Sequence, residues 1–263
     1  MNHELEIKKQ RAFLRGDVWN DVDFSLSDQS QGVPMPPIQK PVPEGESPVS
    51  LPEWRGTVRP RGGLEELIGS RRSLRRYTET PLSAEEISFL LWATQGVREQ
   101  KPGRVFRTVP AGGNRHSTET YLVLTRPAKS RDDAVTLSPG IWRYLPLSHS
   151  VLYMGCPGEL GEKVTQAAEE QRFVGQAPAI FFWACIPYRS EWRYQEASHK
   201  VIALDTGHIC QNLYLASESI GCGTCAIAAY DQKKADALLG IDGEDEFVIY
   251  LAPVGKNPFV KAE

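Results

Sequence analysis

Apolar residues recur along this chain at two spacings, and each spacing predicts an element. After Ser83-Ala84-Glu85-Glu86, a capping box in which hydroxyl and carboxylate each take a free amide, Ile87, Leu90, Leu91 and Thr94 follow at helical intervals up to Gly96. A longer helix is predicted over 198–220, where Ile202, Thr206, Ile209, Leu213, Ala216 and Ile220 alternate steps of four and three into one narrow stripe. Such a stripe packs on another helix, either in the same chain or across a homodimer seam. Residues 64–68 read as a short helix and 159–172 as a polar one, and Asp231 caps a further helix that runs to Leu239. Strands are predicted at 120–124 and 141–145, within Pro and Gly boundaries, and at 246–254. Residues 179–186 are apolar without alternation, the pattern of a strand buried on both faces. This interleaving implies an α+β fold, with a doubly wound sheet as the alternative.

The first 63 residues lack either rhythm and carry eight prolines between Pro34 and Pro60. They read as an arm, 1–63, ahead of a folded domain, 64–263. The arm is either disordered or laid over the body or a partner subunit. Trp19, Phe24, Leu51 and Trp54 favour laying down, because large apolar side chains in a free tail stay wet.

Composition narrows the class. A chain of 263 residues with 41% hydrophobic content can fill a substantial core, and 30 basic against 33 acidic residues leave a net charge of −3. No basic field recommends a nucleic-acid or membrane-surface partner. The charged opening Met1-Asn2-His3-Glu4 does not resemble a signal peptide, no apolar run reaches membrane-spanning length, and five cysteines do not form a disulfide framework. The expected location is the cytoplasm.

Against that balance Arg71-Arg72-Ser73-Leu74-Arg75-Arg76 stands out. Guanidinium forks beside a hydroxyl can grip a phosphate, although arginine runs also serve as solvated faces. Cys222 and Cys225 have C-x-x-C spacing without a second ligand pair, so buried small residues are expected there and no metal. Gly221-Cys222-Gly223 reads on its own as a helix C-terminal turn, and His208 as a packed helix residue. His116 and Glu119 either meet substrate or belong to a loop-to-strand junction.

Several blocks in register carry a resemblance. They are Arg71 to Tyr77, Pro81-Leu82-Ser83 with Leu90 to Gly96, Arg107 to His116 with Glu119-Thr120-Tyr121, Gly140 to Tyr144, Gly207 to Ala216, Gly221 to Cys225 and Pro253-Val254-Gly255. Together they resemble the nitroreductase family, in particular its SagB-type azoline dehydrogenase branch, from about residue 64 to the end. The resemblance implies a central, mostly antiparallel sheet flanked by helices, and an intertwined homodimer with FMN at the interface. It implies that Arg71, Arg72, Ser73 and Arg75 meet the flavin phosphate, pyrimidine and ribityl edges. Pro110, Ala111, Gly112 and Gly113 match the loop beside the isoalloxazine, and Gly221, Cys222 and Gly223 match a turn at the flavin edge. Lys256 matches a position where the family often brings a basic residue to the phosphate. A fixed cation near the pyrimidine stabilises reduced flavin, and glycine lets main chain approach the ring.

One departure stands inside the resemblance. The branch carries a Lys-Tyr pair ahead of the long helix, associated with proton removal during azoline aromatisation, and the matching positions are Arg193-Tyr194. Arginine is a poor general base. Three readings follow. The first is an FMN-dependent oxidoreductase moving hydride by a ping-pong cycle between NAD(P)H and a small acceptor such as a nitro compound or quinone. The second is a SagB-type dehydrogenase acting on azoline rings in a peptide, with cyclase partner proteins. The third is a flavin-binding protein without turnover. Residues 146–175, with Tyr153, Met154, Cys156 and Phe173, are expected to cover the flavin.

Overall fold

The computed structural model describes residues 3–260; the first two and last three positions of the sequence lie outside the described residues. The N-terminal segment carries helices α1 (His3–Gln10) and α2 (Val18–Asp21) and strand β1 (Val49–Ser50). Helices α3 (Leu64–Ser70) and α4 (Ala84–Gln95) precede a hairpin, β2 (Val97–Lys101) with β3 (Arg104–Arg107). Next come β4 (Thr118–Leu124), the small pair β5 (Ala128–Lys129) and β6 (Thr136–Leu137), then β7 (Gly140–Leu145) and β8 (Ser150–Gly155). Helices α5 (Leu160–Ala167) and α6 (Arg172–Gln176) lead to β9 (Ala179–Cys185), α7 (Tyr188–Tyr194) and α8 (Ser198–Ser219). The chain closes with β10 (Cys222–Thr224), α9 (Gln232–Leu239) and β11 (Phe247–Lys256).

The main sheet runs β1-β8-β7-β4-β9-β11-β10. Each of these neighbouring pairs is antiparallel, so the fold is α+β; the doubly wound alternative needs parallel strands. β9 is central, and its two-residue period sends Phe181 and Trp183 to one apolar cluster and Ile180, Phe182 and Ala184 to another. Helices α4 and α8 cover the first face, and α5, α6 and α9 the second. The capping box of α4 forms as predicted, with Ser83 Oγ accepting from the Glu86 amide at 3.2 Å and Glu86 Oε2 from the Ser83 amide at 2.9 Å. The stripe of α8 is buried at Ile202, Thr206, Ile209, Leu213 and Ala216, and it faces α4 within the chain.

One expectation is corrected. Residues 159–172 are not one helix: α5 stops at Ala167, Glu169 and Glu170 take φ of 53° and 59°, and α6 begins afresh. The break lets α5 and α6 touch main chain to main chain, since a Cβ on Gly175 would sit 2.0 Å from the Gly161 carbonyl oxygen. Residues 150–155, within the segment expected over the flavin, form the sheet strand β8, with Tyr153 packed on Trp142 at 4.8 Å. Their alternation is short, and pairing with β7 decides their conformation.

The N-terminal segment lies on the body. Its prolines supply few amides, so its carbonyls are met by side-chain donors instead. Arg107 Nη2 donates to the Ile38 carbonyl at 2.7 Å, Arg143 to Lys40 and Pro41 at 2.8 and 2.7 Å, and Trp192 Nε1 to Val33 at 2.9 Å. The Lys40 amide donates to Glu119 Oε1 at 2.8 Å. Leu51 enters the core, and Trp54 packs on Phe89 and Trp92, each at 4.9 Å.

Candidate functional site

The arginine segment is fastened to the edge of the sheet beside α8. Arg71 ends α3 with its guanidinium 5.1 Å from the centre of the Tyr214 ring. Arg72 Nη1 donates to the carbonyls of Gly69, Ser70 and Arg71 at 2.8, 3.0 and 2.9 Å, closing the C-terminus of α3. Ser73 bridges in parallel to Thr224 of β10, and the Leu74 amide donates to the Thr224 carbonyl at 2.9 Å. The Ser73 hydroxyl lies 3.1 Å from Tyr214 Oη, which also accepts from the Ala226 amide at 2.8 Å. Arg75 is exposed, with Phe173 of α6 6.0 Å from its guanidinium.

The turn 221–223 belongs to the same assembly. Gly221 has φ +67°, which favours glycine, and Gly223 leaves room for Leu74, whose Cδ2 would stand 2.5 Å from an added Cβ. Cys222 is fully buried, and burial pushes its thiol up to about 12; Cys225 is buried too and its thiol is also raised by burial. Neither is a thiolate near neutral pH, and no group of three or more His, Cys, Asp or Glu suited to a metal occurs among the described residues. Lys256 pairs with Cys222 across the ladder and gives its ammonium to Glu86. Burial disfavours that ammonium, but the Cys222 and Glu86 contacts outweigh it and raise the lysine above its ordinary value.

The loop Pro110-Ala111-Gly112-Gly113 sits elsewhere on α8. The Gly112 amide donates to Asp205 Oδ2 at 2.8 Å, and an added Cβ would lie 2.3 Å from Val201 Cγ1. Gly113 has φ +57°, and its added Cβ would meet Tyr194 Oη at 2.4 Å. Tyr194 packs edge-on against Trp19 at 5.6 Å, and Arg193 lies 5.3 Å from the Tyr194 ring. Val201 and Tyr214 share one helix, so at ~1.5 Å per residue the two assemblies stand ~20 Å apart along it. The structure joins 71–75 with 221–223, and joins 110–113 with Arg193 and Tyr194.

Two residues of these assemblies escape the sequence reading. Asp205 and Tyr214 flank the apolar stripe of α8, and their polar character at half-buried helical positions is the signal they leave. Burial pushes the Asp205 carboxyl up. His116 and Glu119 belong to the junction: His116 Nε2 lies 3.0 Å from the Val105 carbonyl and 2.9 Å from Asn114 Oδ1, and Glu119 pairs with Arg189 at 2.5 Å. His208 is exposed on α8, not packed, because it lies off the buried stripe.

The model of the nitroreductase family matches residues 68–256, which takes in both assemblies. The chain belongs to the nitroreductase family. A Methanocaldococcus jannaschii protein, provisionally named a nitroreductase, is 31% identical over 74% of this chain and 91% of its own length. Two solved structures show the same fold. One is a chain of the E. coli microcin synthetase McbBCD complex with truncated pro-MccB17 bound, with TM-score 0.58 and 18% identity over 98% of this chain and 99% of that one. The other is an NADPH:FMN oxidoreductase from Vibrio harveyi complexed with NAD+, with TM-score 0.51 and 20% identity over 76% and 72%.

This nitroreductase is an FMN-dependent oxidoreductase. The donor set of the arginine segment fits that cofactor. Arg71 and Arg75 have no acidic partner among the described residues, and the Ser73 hydroxyl stands beside them at a sheet edge. Such donors suit an anion carrying several acceptor oxygens. Arg72 and Lys256 are instead engaged by helix carbonyls and by Glu86. Among the described residues no helix is long and apolar enough to cross a membrane.

Proposed function

We propose that this nitroreductase, working in the cytoplasm as a homodimer, oxidises NAD(P)H and reduces a small organic acceptor such as a nitro compound or quinone by a ping-pong cycle. When bound, FMN supplies the carrier that takes a hydride in the first half of the cycle and gives it up in the second. Arg71 and Ser73 are assigned to its phosphate and Arg75 to the pyrimidine edge, where a cation that does not titrate favours the reduced form. Gly221, Cys222 and Gly223 stand behind that segment, and Pro110, Ala111, Gly112 and Gly113 are assigned to the ring. The two assemblies lie ~20 Å apart on α8, which supports a site completed by a second subunit.

The observation that carries the reductase reading is the pair Arg193-Tyr194. Tyr194 Oη is aimed at Gly113 and can orient or donate, but arginine is a poor general base and does not replace the base that ring aromatisation needs. Azoline oxidation in a peptide, with cyclase partners, is the second reading, favoured by the same placement of Tyr194. The test is anaerobic. The purified yellow protein is expected to bleach with NADH or NADPH and to recover colour with a nitro or quinone acceptor, giving parallel double-reciprocal plots. Bleaching by an azoline peptide alone overturns the reductase reading, and no bleaching by any donor leaves flavin binding without turnover.

A further inference from the structure

A cleft of about 660 Å³ opens between the N-terminal segment, the β2–β3 hairpin and α7, and Gly113 and Asn114 form part of its wall. Its size is that of a small-molecule site. Among the described residues four cations line it, Lys101, Arg104, Arg115 and Arg193, and no aspartate or glutamate does. In a chain of net charge −3 this excess comes from folding, not composition.

The cations differ in what already holds them. Lys101 shares its charge with Glu99 at 2.8 Å, and both are largely exposed, so this pair is weak. Arg115 is 3% exposed and fixed: its Nε donates to the Arg189 carbonyl at 2.7 Å, and its guanidinium lies 4.8 Å from the Trp192 ring centre. Arg104 and Arg193 have no acidic partner among the described residues. Burial, then the nearby charges of Arg193 and Arg189, disfavour the charged form of Arg115. Like charges converging on a low-dielectric wall are relieved by an anion. The neutral side chains Gln29, Gln100 and Asn114 add hydrogen-bonding groups without opposing charge.

We infer that this cleft binds the phosphates of the nicotinamide donor and makes the enzyme prefer NADPH to NADH. The inference rests on the reductase reading above, since it assigns the donor of that reaction. The nicotinamide dinucleotides share a pyrophosphate, and NADPH adds a 2′-phosphate whose charge of nearly −2 calls for further cations. Arg104, on the exposed hairpin, is the residue assigned to that extra group; guanidinium meets phosphate through paired hydrogen bonds.

Equilibrium titration of the full-length, FMN-loaded protein with NADP+ and with NAD+ tests it without turnover. NADP+ is expected to bind at least about tenfold more tightly, the size of one charge-assisted contact, and to weaken as salt rises. Arg104→Ala, at an exposed position, is expected to abolish the difference while leaving NAD+ affinity and the thermal midpoint unchanged. Equal affinity of the parent for the two dinucleotides, no binding of either, or unchanged NADP+ affinity in Arg104→Ala overturns the inference. Failure of the reductase reading is separate: it shows as no bleaching of the flavin by either reduced dinucleotide.

Discussion

Replacing Glu119 by glutamine is expected to be a costly single-atom change in the interior. Glu119 and Arg189 are each about 2% exposed, and their 2.5 Å contact neutralises two charges held away from water. Glu119 Oε1 also accepts from the Lys40 amide, and Arg189 Nη1 donates to the His116 carbonyl at 3.1 Å, so the pair ties β4, α7 and the N-terminal segment together. Glutamine keeps the acceptor for Lys40 but leaves the guanidinium uncompensated. Breaking a buried pair costs about 3–5 kcal/mol, and because the acceptor survives we take about 3. At about 2–4 °C per kcal/mol for a chain of this size, the thermal midpoint drops by about 6–12 °C. Calorimetry and urea unfolding of Glu119→Gln, Arg189→Leu and the Glu119→Leu/Arg189→Leu double variant measure this directly. The double variant is expected to lose less than the sum of the singles, because no lone charge remains, although the Lys40 amide and His116 carbonyl each forfeit about 1 kcal/mol. A loss below 1 kcal/mol in Glu119→Gln, or strict additivity, refutes the reasoning.

Three further outcomes follow from the same geometry. His116 is held neutral, its pKa lowered from 6.5 to about 3 chiefly by burial and then by the Arg107 charge. The unfolded chain therefore binds the extra proton first, and this contribution to stability, complete above pH 6.5, falls by about 1.4 kcal/mol per pH unit on the way to pH 3; a slope in unfolding free energy unchanged by His116→Gln contradicts it. Gly113→Ala places a side chain at φ +57° and against Tyr194, and a loss of about 1–2 kcal/mol in urea unfolding is expected, with a neutral result counting against the loop geometry. Arg71→Ala is expected to weaken FMN retention by about tenfold to a hundredfold in ultrafiltration, the range for one charged hydrogen-bonding partner, and undiminished retention removes Arg71 from the phosphate site.

Local chemistry was legible from residues alone wherever one element closes on itself. The capping box at Ser83 and Glu86, the buried stripe of α8 and the doubly buried strand β9 need only their own periodicity and caps, because those patterns state which side must leave water. The family blocks brought the arginine segment, the 110–113 loop and the 221–223 turn into view as one set. What no local pattern carries is the pairing between distant segments. The breaking of 159–172 into α5 and α6 depends on Gly161 meeting Gly175, and β8 exists because β7 offers it hydrogen bonds. The cleft over Gly113 is cationic because folding gathers Lys101, Arg104, Arg115 and Arg193 and leaves the acids outside its lining. Periodicity reports which side of a segment seeks burial; which partner supplies that burial, and which charges meet across it, is decided by the sum of long-range contacts that only the folded chain makes.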